Sequence, residues 1–329
     1  MTPRANFVLA FLAATFSTLT GVSEAVVTPS CACNTPNCST YNVGPGQPYP
    51  DIASVPALTT LQPGDWICIH PSSTPYFEKF VINRSGTAEA PIVISGVIDE
   101  TTGERPIIDG NGATTPLALN YWNEVRNLVK IGGASVPNES VPSYIRVQNL
   151  HLRNAHTGYS FTDDSGNSQS YVNNAACLHV EAGHHVDLIN NEIEGCGNGI
   201  FIGGDVEDVL IESNFIHNNG NVNSFYEHNT YTEALRITYR YNQFGPLCAG
   251  CTGNNLKDRS AGLVVSNNFI EGGNRQLDLV DSYSMGLDAA QEYETTHVYG
   301  NVLVEPDGAG NRQIVHFGGD SGSTQYYRR

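Results

Sequence analysis

Beyond residue 140 the chain falls into a loose repeat of short apolar runs. Each unit is a short β-branched run, an asparagine, and a second, shorter apolar run. It reads YIRVQNLHL at 144–152, HVDLINNEI at 185–193, VLIESNFI at 209–216, RITYRYNQF at 236–244, LVVSNNFI at 263–270 and HVYGNVLV at 297–304. The aligned asparagines are Asn149, Asn191, Asn214, Asn242, Asn268 and Asn301. Four of their five gaps lie between 23 and 33 residues; the first is 42 and contains an insertion around 156–174. A period of 20–50 residues marks a solenoid, and runs without a helical period make it a β-solenoid. The asparagines have a structural reason to recur. At a tight corner, Asn tolerates the left-handed region and bonds to backbone, and stacked coils can repeat that bond as a ladder.

Alternation within strands then separates inward from outward residues. In the first strand of each coil, apolar Leu178, Val180, Ile200, Ile202, Leu256, Leu277, Leu279, Val315 and Phe317 are expected to point inward. His179, Phe201, Lys257, Arg259, Asp278 and His316 are then outward, with Tyr231 and Glu233 on the coil before Lys257. Neighbouring parallel strands lie about 4.8 Å apart, so Tyr231, Lys257 and Asp278 should form one outward column, with Glu233 and Arg259 two residues along.

Charge singles out the same stretch. With Lys+Arg 16 against Asp+Glu 33, the formal net charge is −17. Such a balance sets aside nucleic acid, whose phosphates require a basic face. No Lys or Arg lies between Arg153 and Arg236, a stretch with twelve acidic residues. From Arg236 to Arg275 five basic residues (Arg236, Arg240, Lys257, Arg259, Arg275) face only Asp258 and Glu271. A basic patch on an acidic protein can dock an anionic polymer, or its charges can simply pair with neighbouring coils.

The N-terminus reads as an address. Arg4, the apolar run from Phe7 to Phe16 and Ser23-Glu24-Ala25 make residues 1–25 a secretory signal peptide, too short to span a bilayer. Residues 26–57 are then a Cys-rich N-terminal segment or cap, and 58–329 one solenoid domain. Eight cysteines suit an oxidising compartment. Cys177 and Cys196 lie about one coil apart and are expected to pair. Further bridges are expected among Cys31, Cys33, Cys38 and Cys68, and a disulfide or tight loop at Cys248-x-x-Cys251. Glycosylation sequons stand at Asn37, Asn83 and Asn138.

The front of the chain carries LQPGDWICIH at 61–70, NRSGTAEAPIVISG at 83–96 and PIIDGNG at 106–112. This block resembles the N-terminal coils of secreted right-handed parallel β-helix proteins of the pectate lyase and chondroitinase B superfamily. EHNTY at 227–231, NNLKDRSAGLVVSNNFI at 254–270 and RQLDLVDS at 275–282 resemble a bacterial subgroup of such proteins. The resemblance implies an all-β, right-handed parallel β-helix of a single chain. It also implies a secreted, extracellular protein, expected to be a monomer, whose partner is an acidic, uronic-acid polysaccharide. The leading reading is a lyase. Arg259 would neutralise the substrate carboxylate, Lys257 would take the proton, and Tyr231 or His228 would meet the leaving oxygen. Arg236, Arg240, Arg275, Asp278 and Glu233 would bind substrate. Calcium is the ion used by chondroitinase-like members, whose acidic ligands precede the Lys in its own coil. Here that stretch, 248–255, has no carboxylate. No metal ligands are therefore assigned, and calcium is kept as the alternative cofactor. The alternatives are a non-catalytic carbohydrate-binding, adhesin-like or cell-wall structural β-helix, and a glycoside hydrolase using Asp278 and Asp281.

Overall fold

The computed structural model describes residues 31–309 and 311–320. The signal-peptide segment and the final QYYRR lie outside the described residues. The chain winds through three parallel sheets in turn. The first face stacks Phe80–Ile82, Asn127–Ile131, residues 176–180, residues 198–202, Thr230–Thr232, Leu256–Asp258, Leu277–Leu279 and Val315–Phe317. The second face runs from Thr40–Val43 through Trp66–Ile69, Ile92–Gly96 and Ser143–Gln148. It continues through 184–189, 206–212, Leu235–Arg240 and Ala261–Ser266 to Thr296–Tyr299. The third carries Ile107–Asp109, His151–Arg153, Glu192–Glu194, Phe215–Ile216, Gln243–Phe244, Phe269–Glu271 and Val302–Val304. In two coils the first and second faces belong to one long strand, Ala176–Ile189 or Asn198–Glu212. Register slips between Val180 and Ala182, where the chain turns the corner.

This is a parallel β-helix, as the Asn-punctuated repeat predicts. Each repeat segment is a second-face strand, a corner and a third-face strand. The interior is one continuous apolar core, in which Leu178, Val180, Ile200, Ile202, Leu256, Leu277 and Leu279 are buried. Val315 and Phe317 depart from the expected inward set. They are 47% and 45% exposed because, among the described residues, no further coil stacks on them. Among the described residues helix is scarce: one α-helical turn, Met285–Asp288, and three 3₁₀ turns.

The ladder is present, with one change of membership. Asn191, Asn214, Asn242, Asn268 and Asn301 are linked side chain to side chain and side chain to backbone at 2.8–3.1 Å. Asn149 is not in it; its Oδ1 accepts from Asn190 Nδ2, and Leu150 occupies the ladder register. The left-handed conformation belongs to the residue before each rung: Asn190, Ser213, Tyr241, Asn267 and Gly300 all have φ between 53° and 69°. The rung itself is therefore free to bond upward and downward, while its predecessor turns the chain. A second ladder, Asn219–Asn229–Asn255, runs up another corner.

Disulfides join Cys31–Cys68, Cys33–Cys38, Cys177–Cys196 and Cys248–Cys251. The sequons are unequal. Asn37 and Asn138 are exposed, whereas Asn83 is fully buried and its Nδ2 faces three backbone carbonyls. A folded chain cannot offer Asn83 to glycan transfer.

Two insertions leave the stack, each with an antiparallel pair: Asn120–Tyr121 with Ala134–Val136, and Ser160–Thr162 with Ser168–Ser170. The second is anchored by buried Lys79, whose ammonium lies 3.3 Å from the Phe161 ring centroid and bonds to the Glu124 carbonyl. It forms one wall of the first face.

Candidate functional site

The register of the first face pairs Phe201 with Tyr231, Tyr231 with Lys257, Lys257 with Asp278, and Asp278 with His316. Their strand neighbours Thr230, Thr232, Leu256, Asp258, Leu277 and Leu279 are buried. The expected column of Tyr231, Lys257 and Asp278 is thus one strand apart at each step. Beside it, a groove of about 620 Å³ runs between Val172–Asn174 of the insertion, Phe201, Tyr226 and Tyr231.

Asp278 is the hub. Although 1% exposed, it takes Asn254 Nδ2 at 2.6 Å, His316 Nδ1 at 2.7 Å, Lys257 Nζ at 3.2 Å and Arg275 Nη1 at 3.4 Å. A buried carboxylate persists as an ion only when it is paired and hydrogen-bonded, and here it is both. Lys257 Nζ also meets Asp320 Oδ2 at 2.7 Å. Asp320 bridges further to Arg259 Nη2 at 2.8 and 2.9 Å. Burial pushes the Asp320 carboxyl up, but hydrogen bonds from Lys257 and Arg259 override it and the net shift is downward.

Arg259 differs from expectation. It was placed on the outward face, yet it is 1% exposed. Its Nε donates to the Tyr231 hydroxyl at 3.0 Å, Nη1 to the Asp281 carbonyl, and the Tyr283 ring covers it at 3.8 Å. Arg259 keeps the side of the sheet that Tyr231 and Lys257 share, and its burial comes from the Tyr283 turn laid over it. Two edges face the column side: Nε meets Tyr231, and Nη2 meets the Asp320 carboxylate that Lys257 also holds. Glu233 explains the cover: its carboxylate accepts from Ser282 Oγ and from the backbone N–H groups of Tyr283 and Ser284, fixing the turn that lies over Arg259.

His228 is buried edge-on to Tyr231, ring centroids 5.5 Å apart. Its Nδ1 accepts the Asn254 backbone N–H, so the neutral ring carries its proton on Nε2. Burial, and then the Lys257 charge, lowers its pKa to about 3. Burial raises the Tyr231 phenol, opposed by Arg259.

Arg236 and Arg240 are not brought to this column. They lie on the second face, Arg236 paired with Glu207, Asp208 and Glu292 and Arg240 with Glu212. Their charges serve neighbouring coils. Asp278 and Asp320 fit no calcium site, because the charges of Lys257, Arg259 and Arg275 already pair with them. Asp281 is fully buried and accepts the Asp320 backbone N–H, which turns it away from any sugar and from a hydrolytic pair. Sequence reasoning misses Asp320, Asn254 and Tyr283, and names His316 only as an outward residue. Asp320 is 63 residues from Lys257 along the chain, so no local pattern announces it.

The fold defines the class of protein, a parallel β-helix. No protein-family model and no curated protein matches the chain. Among solved structures it is similar to an alginate lyase from Paenibacillus sp. str. FPU-7, with 15% identity, 71% of this chain and 67% of that one covered, and a TM-score of 0.47. It is also similar to the pectate lyase Pel9A, with 14% identity, 82% and 78% covered, and a TM-score of 0.38. Jun a 1, the major allergen of cedar pollen, gives 10% identity, 88% and 82% covered, and a TM-score of 0.32.

Proposed function

We propose that the protein is secreted and acts on an extracellular acidic polysaccharide, cleaving it by β-elimination beside a uronic-acid residue. The observation that carries this reading is the position of the Asp320 carboxylate. It bridges Lys257 Nζ and Arg259 Nη2 at 2.7–2.9 Å, beside the Tyr231 column and the groove, as a uronate carboxylate would. Four disulfides fit an exported protein. No helix among the described residues is long and apolar enough to cross a membrane.

In this mechanism the substrate carboxylate displaces Asp320 and is held by Arg259 Nη2. Neutralising it acidifies the adjacent C–H. Lys257, released from Asp320 and reacting as its neutral amine, takes that proton on Nζ and becomes the ammonium. The C–O bond to the leaving sugar breaks as the double bond forms, and the Tyr231 hydroxyl, which accepts from Arg259 and so keeps its own proton free to give, protonates the leaving oxygen. His228 buttresses the Tyr231 ring. A second reading, a binder without turnover, is favoured by one observation: Lys257 pairs with Asp278 as well as with Asp320.

The test is to incubate the mature protein with pectate, alginate, glucuronan and glycosaminoglycans and follow the absorbance of unsaturated products. Absorbance that grows with wild type and vanishes with Lys257→Met supports the lyase. New reducing ends without absorbance identify a hydrolase, and saturable binding without either identifies a binder.

A further inference from the structure

We propose that His151, Glu192, Glu194 and His217, on the third face, form a binding site for a divalent transition-metal ion, with zinc as the best match. The site is separate from the first-face column. The register sets His151 beside Glu192 and Arg153 beside Glu194, while Leu152 and Ile193 between them point into the core. One ligand atom from each of His151, Glu192 and Glu194 lies within 4.8 Å of the others, and His151 Nε2 is 3.1 Å from Glu194 Oε1. His217 approaches the two carboxylates from the next coil, outside that mutual cluster of three. Its Nε2 is 3.5 Å from Glu192 Oε1 and its Nδ1 3.9 Å from Glu194 Oε2.

Two further observations point to a ligand. His217 Nε2 is a buried nitrogen without a hydrogen-bond partner, although it faces a carboxylate. Such an orphan atom is costly unless something occupies it. Its ring is fixed by stacking on Phe215, centroids 3.9 Å apart, so it cannot simply turn away. There is also a way in: a cavity of about 410 Å³, lined by Ser72, Glu104, Arg105, His151 and Glu192, opens beside the cluster.

Donor chemistry selects the ion. Two imidazoles with two carboxylates suit zinc and its first-row neighbours, whereas calcium and magnesium prefer oxygen alone. A bound ion would tie three successive coils together across the third face, from 151–153 through 192–194 to 215–217. It would therefore stabilise the solenoid by mass action, since the unfolded chain cannot assemble the four groups.

The experiment uses untagged mature protein stripped with a chelator. Zinc chloride is titrated calorimetrically, and melting is followed with zinc, calcium or no added metal. One saturable zinc per chain is expected, with a rise in melting temperature that calcium does not reproduce. Cobalt should give a visible absorption band. Glu192→Gln and His217→Ala should each weaken zinc by about tenfold or more. Glu192→Gln keeps the side-chain shape, and circular dichroism of the metal-free variants separates lost binding from lost folding. Absence of saturable binding overturns the proposal, as does one-to-one binding that survives both substitutions in folded protein.

Discussion

Two columns climb this solenoid, and they are built by opposite rules. The corner ladder repeats one residue, Asn191 to Asn301, and each rung gives its neighbour the same bonds. The first-face column never repeats: Phe201, Tyr231, Lys257, Asp278 and His316 follow one another in register. A uniform buried column satisfies itself, so it holds coils together and offers nothing to a ligand. A mixed, charged column brings unlike groups within 4.8 Å steps, which is what proton transfer and anion binding require. Repetition marks the scaffold here, and the break in repetition marks the candidate chemistry.

That contrast can be broken by substitution. The largest effect is expected at Lys257. Lys257→Met should lower turnover on the preferred polymer by at least about a hundredfold, since a proton-transfer group contributes on that order. Melting should stay within a few degrees of wild type, because Asp278 keeps Asn254, Arg275 and His316. Arg236→Met is the matched control on the second face, and its activity should equal wild type. If both variants lose activity equally, the column has no special status.

Next in size is the ladder. Asn242 accepts from Asn214 and donates to the Ile211 carbonyl and to Asn268 Oδ1. Asn242→Ala leaves several buried groups unmatched and should cost about 3–5 kcal/mol in chemical denaturation. A loss below 1 kcal/mol would show that the ladder is decoration.

Acid should reach the surroundings of the first-face column. Burial depresses the pKa of His179 and of His228 to about 3. An unfolded histidine takes its proton near pH 6.5. Between pH 6.5 and 3 the unfolded chain therefore binds more protons, so stability must fall as pH falls through that window. Asp320 adds the same sign lower down. Its pairing with Lys257 and Arg259 stabilises above the unfolded carboxylate pKa and is lost as pH drops through its depressed folded value. Denaturation midpoints at pH 8 and pH 5 for wild type and His228→Gln would check the first part, the variant being less acid-sensitive. At the small end, Arg240→Ala should change stability by less than about 1 kcal/mol, because its pair with Glu212 is solvated.

How much of this was legible depends on whether a feature recurs locally. Strand alternation and an Asn every coil made the faces, the core and the Tyr231–Lys257–Asp278 column readable. The one-residue offset between rung and left-handed residue was hidden, because Asn190 and Asn267 sit directly before Asn191 and Asn268 in the same apolar–polar frame. Arg259 stands beside Tyr231 and Lys257 as alternation suggests, but its burial was not readable, because the Tyr283 turn that covers it lies outside the repeat. Asp320 and Tyr283 come from segments outside the repeat, and the His151–Glu192–Glu194–His217 cluster draws on three coils with unequal spacing. Such groups meet only through register, which the chain acquires on folding.

The central claim is that the Lys257–Arg259 edge receives a uronate carboxylate where Asp320 now sits. The direct test is a calorimetric titration of one defined oligouronate into wild type and into Asp320→Asn. Removing the internal competitor should tighten binding in Asp320→Asn by several-fold or more. Equal affinity in the two proteins, or weaker binding in Asp320→Asn, would contradict the account and return Lys257, Arg259 and Asp320 to the role of a structural brace.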